Sequence, residues 1–100
     1  MHKRTYIIDV CFEWDERKAD SNLEKHGIAF ADAAVALEDE RALTIDDPDD
    51  CGEARFVSLC MDPTMTILVV VYTWRGDSVR IISARKATAN ERKLYKGDTS

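Results

Sequence analysis

The sequence predicts an α+β fold: two N-terminal helices, an antiparallel sheet meander of about four strands and a C-terminal helix. Three observations predict it. Apolar residues in the first third recur at helical spacing, and those from 55 to 85 fall in strand-length runs broken by tight-turn residues. A capping sequence, Thr88-Ala89-Asn90-Glu91, follows the last run. At 100 residues the chain suffices for one compact domain and is too short for two.

The elements follow in order. Tyr6 to Phe12 is β-branched and aromatic and reads as a short first strand. Asp15 can cap a helix running through Lys18, Ala19, Asn22 and Leu23, with Gly27 after His26 as its stop. Phe30, Ala33, Ala34 and Leu37 fall at i, i+3, i+4 and i+7, giving a second amphipathic helix. Ala42 to Ile45 forms a short strand before the acidic loop Asp46-Asp47-Pro48-Asp49-Asp50. Arg55 to Met61 is the next strand, and Asp62-Pro63-Thr64 a turn. Thr66 to Trp74 is apolar on both faces and belongs at the centre of the sheet. Gly76-Asp77 turns the chain into Ser78 to Arg85, and the helix opened by Thr88 ends at Gly97.

Several function classes are excluded. The longest apolar run, Ile67 to Tyr72, is too short to span a bilayer. Asp9 and Glu13 interrupt any secretory segment after Lys3 and Arg4, so the expectation is a soluble, cytoplasmic chain. Cys11, Cys51 and Cys60 are odd in number and scattered, which fits reduced thiols. No histidine or cysteine pair has metal-ligand spacing. Asp47, Asp49 and Gly52 fall in a calcium-loop register, but Cys51 takes a ligand position and Ser58 stands where the bidentate Glu belongs. With no Gly-rich phosphate loop or nucleophile elbow either, no metal or cofactor is expected.

Charge is distributed unevenly. The net charge of −5 argues against a polyanionic partner, yet residues 75–96 hold seven basic side chains against two acidic ones. Residues 38–53 hold eight acidic side chains against Arg41 alone. An acidic chain can thus present a cationic face, whose alternative is an ordinary solvated surface.

The junction after the last strand carries the most chemistry. The N–H groups opening the helix at Thr88, with the Arg85 guanidinium beside them, suit a phosphate. Strict alternation places Ser83 and Arg85 on one face of the strand, with Arg80 and Lys86 on the other. Glu91 and Tyr95 share a face of the final helix, for chemistry or for capping and ring packing. Glu53 and Arg55 point the same way and either form an edge ion pair or join the site. Arg75 stands beside Trp74, which either stacks on a base or packs in the core. His26 stands where an imidazolium meets a helix C-terminus, and His2 lies in a frayed terminus.

Together these residues resemble the BrnT family, the toxin half of a type II toxin–antitoxin pair. The likeness runs through Phe12-Glu13-Trp14-Asp15, Lys18, Asn22, Lys25-His26-Gly27-Ile28 and Phe30, then Glu53 and Arg55-Phe56. Its most specific part is Val71-Tyr72-Thr73, Arg75-Gly76-Asp77 and Arg80 through Thr88, closing with Glu91-Arg92 and Tyr95. The resemblance implies a RelE-like fold, RNA as substrate and a BrnA-like protein antitoxin that covers the toxin. It also implies a hetero-oligomer with that antitoxin, which meets operator DNA only as the complex and involves no membrane.

Metal-free RNA cleavage needs phosphate stabilisation, a base and an acid. Arg75, Arg80 and Arg85 fill the first role, with Arg55 and Lys86 in support. Glu53 or Glu91 is the candidate base, and Tyr95 or His26 the acid. Lys86, Thr88, Trp74 and His26 are the candidate RNA contacts. One departure stands out: family members carry a His-Ser pair in the loop before the Glu-x-Arg strand. Here that loop reads Asp49-Asp50-Cys51-Gly52, so the His is replaced by Asp50 or lost with a shorter loop. Two other readings follow: a catalytically degenerate homologue that binds antitoxin and acts as a corepressor, or a structural interaction domain meeting an acidic protein.

Overall fold

The computed structural model describes residues 10–48 and 52–97. Strand β1 (Cys11–Glu13) leads into helices α1 (Glu16–His26) and α2 (Phe30–Ala36). Strands β2 (Leu43–Asp46), β3 (Phe56–Met61), β4 (Ile67–Arg75) and β5 (Ser78–Lys86) follow, then helix α3 (Ala89–Lys96). Among the described residues the expected first strand is seen at Cys11–Glu13; its Tyr6–Asp9 part, His2 and the loop residues Asp49, Asp50 and Cys51 lie outside the described residues.

Local chemistry sets the helix ends. The Asp15 carboxylate accepts from the N–H groups of Arg17 and Lys18 at 2.9 and 3.1 Å, satisfying donors that α1 cannot pair internally. Gly27 ends α1 at φ 73°, a left-handed conformation that glycine adopts without steric cost. Its N–H reaches the Leu23 carbonyl at 2.8 Å, which fixes His26 at the last turn.

The five strands form one sheet in the order β1-β5-β4-β3-β2. Strands β2 to β5 make the expected antiparallel meander, with apolar β4 at its centre. The sheet is mixed, however, because β1 pairs with β5 in parallel, from Cys11 opposite Ser78 to Glu13 opposite Arg80. A parallel edge cannot come from a hairpin. It becomes possible because α1 and α2 intervene, so that β5 returns beside β1 in the same direction.

Helices α1 and α2 cover one face. Phe30, Ala33 and Ala36 pack there against Leu68, Val70 and Ile81, and Trp14 meets Phe30 edge to face at 6.1 Å between ring centres. On the other face a smaller cluster of Ile67, Val69 and Ala87 lies under Tyr95 of α3.

Strand β5 carries one extra residue. Val71 pairs with Ser83 but Tyr72 with Ile81, so Ile82 bulges out of the ladder. The bulge reverses the strict alternation read from the sequence. Arg80 lies opposite Thr73, Ser83 opposite Val71 and Arg85 opposite Val69, and those three partners share one face of β4. Arg80 therefore joins Ser83 and Arg85, while Lys86, opposite Leu68, remains on the other face.

Candidate nucleic-acid interface

The sheet face bearing α3 holds Arg75, Arg80 and Arg85, each matched to a carboxylate. Arg80 Nη1 donates to Glu13 Oε2 at 2.8 Å, a pair made possible by the parallel β1 edge. Arg75 Nε donates to Glu53 Oε2 at 3.2 Å. The expected Glu53–Arg55 ion pair is therefore not formed. Strand β3 begins only at Phe56, so strand alternation does not govern residues 53–55, and Glu53 turns to the β4–β5 hairpin instead. Arg55 Nε is buried with no hydrogen-bond partner among the described residues.

Arg85 and Glu91 form a tighter unit. The Arg85 guanidinium donates from Nη1 and Nη2 to the two Glu91 oxygens, both at 2.9 Å. Oε1 of Glu91 also accepts from the Thr88 N–H at 2.8 Å, and Thr88 Oγ1 accepts from the Glu91 N–H at 3.2 Å. This is a complete capping box with an arginine added. The donors expected to hold a phosphate at Thr88 and Arg85 are taken by a carboxylate from the same helix. The Arg85 hydrogen bonds, followed by the Thr88 N–H, hold the Glu91 carboxyl down at about 2. A carboxylate so stabilised is a weak base, which tells against Glu91 in that role.

The same shift predicts an acid-stability signature. A carboxyl whose folded value lies below its unfolded one contributes stability above the unfolded range and loses it as pH falls. Glu91 should therefore cost the fold stability between about pH 5 and pH 2. Thermal unfolding of Glu91→Gln is expected to show a shallower decline across that window. An unchanged acid limb would show that the Arg85–Glu91 pair contributes nothing.

Tyr95 lies elsewhere. Its hydroxyl donates to Asp39 Oδ2, which also accepts from the Met61 N–H at 2.9 Å. Burial and then the Asp39 contact push the Tyr95 hydroxyl up to about 12. Burial acts to raise Asp39, but hydrogen bonds from Tyr95, Arg41 and Met61 outweigh it and hold the carboxyl below its ordinary value. This arrangement anchors α3 to the turn before β2 and stands apart from the arginines. Trp74 is half-exposed, opposite Val79 on the α1/α2 face, so it does not lie beside Arg80. Lys86 groups instead with Arg92 and Lys96 around a shallow groove floored by Met61, Met65 and Ile67.

The structure adds residues that sequence reasoning passed over. Among the described residues, β5 has no strand on its outer side beyond Arg80, because β1 pairs with residues 78–80. Helix α1 lies along this open edge. Lys18, Ser21, Lys25 and His26 meet the bulged Ile82 and Ser83 around a cleft of about 200 Å³. The signal was present: Lys18, Asn22 and Lys25 fall at i, i+4 and i+7, on one helix face. What was missing was the bulge that turns Ser83 toward that face.

Asn22 holds the cleft in place. Its Nδ2 donates to the carbonyls of Ile28 at 3.0 Å and Ala84 at 2.8 Å, and its Oδ1 accepts from the Ala84 N–H at 3.1 Å. The side-chain amide thus does for β5 what a neighbouring strand would have done. Among the described residues no group of three or more His, Cys, Asp or Glu is placed to hold a metal ion, and no helix is long and apolar enough to cross a membrane.

Comparisons with known proteins agree with this architecture. No curated protein matches the chain. Among solved structures, the ribonuclease toxin BrnT of Brucella abortus superposes with a TM-score of 0.64 at 27% identity, over 79% of this chain and 97% of that one. The family model described as the ribonuclease toxin BrnT of type II toxin–antitoxin systems matches residues 14–91. With helices α1 and α2, strands β2 to β5 and the cationic edge inside that match, the chain belongs to the BrnT family of ribonuclease toxins.

Proposed function

We propose that the chain is a metal-independent endoribonuclease of the cytoplasm that arrests growth when its BrnA-like protein antitoxin is lacking. One observation carries the reading: the Ile82 bulge puts Arg80, Ser83 and Arg85 on one face, and Ser83 also lines the edge cleft of Lys18, Lys25 and His26. Such a strip offers cations to successive phosphates of a single strand. Arg80 spends a hydrogen bond on Glu13 and retains further N–H donors for a phosphate. In the reaction the RNA 2′-oxygen attacks the adjacent phosphorus, and the bond to the 5′-oxygen of the next nucleotide breaks. One proton leaves the 2′-hydroxyl and another reaches the departing 5′-oxygen. The products are a cyclic phosphate and a 5′-hydroxyl, and no oxidant or metal enters the balance.

We assign phosphate stabilisation to Arg80, with Arg75, Arg85 and Arg55 supporting the charge. His26, in the cleft with Lys18 and Lys25, is assigned the proton transfer. The test is incubation of the antitoxin-free chain with labelled RNA in EDTA. Cleavage is expected, and Arg80→Ala should slow it about 10²-fold, as removal of a donor from a developing anion typically does. Equal rates in the two proteins would remove Arg80 from the reaction.

A second reading has its own support. Arg75, Arg80 and Arg85 each already face a carboxylate, and the loop Asp49-Asp50-Cys51-Gly52 lacks the histidine that the family resemblance implies, whether replaced by Asp50 or lost with a shorter loop. A chain that is folded, binds its antitoxin and leaves RNA intact in this assay, with and without ribosomes, would be a degenerate homologue serving as a corepressor.

A further inference from the structure

The opposite edge of the sheet carries a second surface, and it has the opposite character. Strand β2 is the outer strand at this end of the sheet, and all four of its residues are exposed. The Asp47 N–H donates to the Arg55 carbonyl at 2.9 Å, which sets the phase of the β2–β3 ladder. In that phase Leu43 and Ile45 spend their backbone groups on β3, whereas Thr44 and Asp46 turn theirs to the open side. Proteins usually blunt such an edge with charge, proline or a bulge. Here the strand instead points Leu43 and Ile45 into a groove of about 340 Å³ whose other walls include Val57, Leu59, Val69 and Leu94. Ile45 and Leu94 are each 64% exposed at its rim.

The charge around this edge selects the occupant. Residues 38–47 contain five acidic side chains against Arg41, and Glu38, Glu40 and Asp46 are exposed. RNA would be repelled from such a rim. A second copy pairing edge to edge would set one acidic rim against another, which costs rather than gains. An extended segment with apolar side chains at alternate positions and lysine or arginine around them satisfies all three features: the open N–H and C=O groups, the groove and the acid.

We propose that β2 is the docking edge for a basic, alternately apolar strand of the protein antitoxin, which extends the sheet by one strand and drops its apolar side chains between β2 and α3. The proposal rests on the reading of the chain as the toxin of a toxin–antitoxin pair. It places the antitoxin strand at the sheet edge opposite the cationic cleft, so neutralisation and RNA binding begin at opposite edges of the sheet.

The test is amide hydrogen exchange on the chain alone and in complex with the antitoxin that suppresses its toxicity on co-expression. The Thr44 and Asp46 amides are expected to slow at least tenfold in the complex. Ile45→Lys puts a cation in the groove, and Asp46→Pro removes an outward N–H without breaking the β2–β3 ladder. Each should weaken the complex at least tenfold while leaving the thermal midpoint and any RNA cleavage unchanged. Glu38→Lys with Glu40→Lys should slow association and reduce its salt dependence. Unprotected Thr44 and Asp46 amides in the complex would overturn the proposal. So would protection already present in the concentrated chain alone, or protection produced by RNA. If the chain cleaves RNA but these amides stay unprotected, the docking edge is wrong and the ribonuclease reading stands. If they are protected but RNA stays intact, the reverse holds.

Discussion

Replacing Asn22 by leucine is expected to lower the stability of this chain by about 3–5 kcal/mol. The side chains are similar in size, so the cost is one of hydrogen bonding rather than cavity formation. Asn22 is 7% exposed and makes three hydrogen bonds, two of them to the backbone of Ala84 on the outer edge of β5. Leucine leaves the Ala84 N–H and C=O, and the Ile28 carbonyl, buried and unpaired. Each such group costs roughly 1–3 kcal/mol, partly offset by the apolar side chain gained. For a chain of 100 residues this corresponds to a fall of about 15–30 °C in the thermal midpoint. Calorimetry of wild type and Asn22→Leu measures it. A fall of less than 5 °C would show that the Ala84 backbone has another partner and that α1 is held to β5 by packing alone.

The same residue shows what the sequence contained and what it withheld. Element order was legible because it depends on local signals: Asp15 and Gly27 bracket α1, the capping box opens α3, and Gly76 closes the β4–β5 hairpin. The apolar run of β4 likewise declared its central position. Three features depend on contacts between distant segments and left no local trace. The parallel pairing of β1 follows from where the helices deliver the chain. The Ile82 bulge is an insertion relative to β4, which is visible only once both strands are in register. The carboxylate partners of Arg75 and Arg80 lie 22 and 67 residues away along the chain. The sequence therefore gives residue types without their grouping. Arg80 and Arg85 do share a face, against the alternation rule, whereas Trp74 and Lys86 do not join them. Asn22 and Lys18 already carried the resemblance, yet their role as staple and cleft wall needed the fold.

Replacing His26 by alanine is expected to reduce RNA cleavage about 10²–10³-fold, the range over which a positioned proton-transfer group acts. Among the cleft residues, imidazole is the group suited to accept and return a proton near neutral pH. In the proposed site Lys18 and Lys25 serve the phosphate. The neighbours also separate the two contributions: Lys25→Ala should raise KM several-fold with little change in kcat, whereas His26→Ala should lower kcat with little change in KM. A structural His26, acting only on the α1 dipole, predicts a different pattern. Its loss would cost about 0.3–1 kcal/mol of stability and leave kcat intact. Added imidazole discriminates further, since it can enter a cleft open to solvent and restore proton transfer to His26→Ala but cannot restore a helix contact. Recovery of cleavage with imidazole concentration would place the proton transfer at His26. A folded His26→Ala protein with wild-type kcat would remove it from the chemistry. Proton transfer would then have to come from Glu53, whose carboxylate remains 42% exposed beside Arg75 at the hairpin.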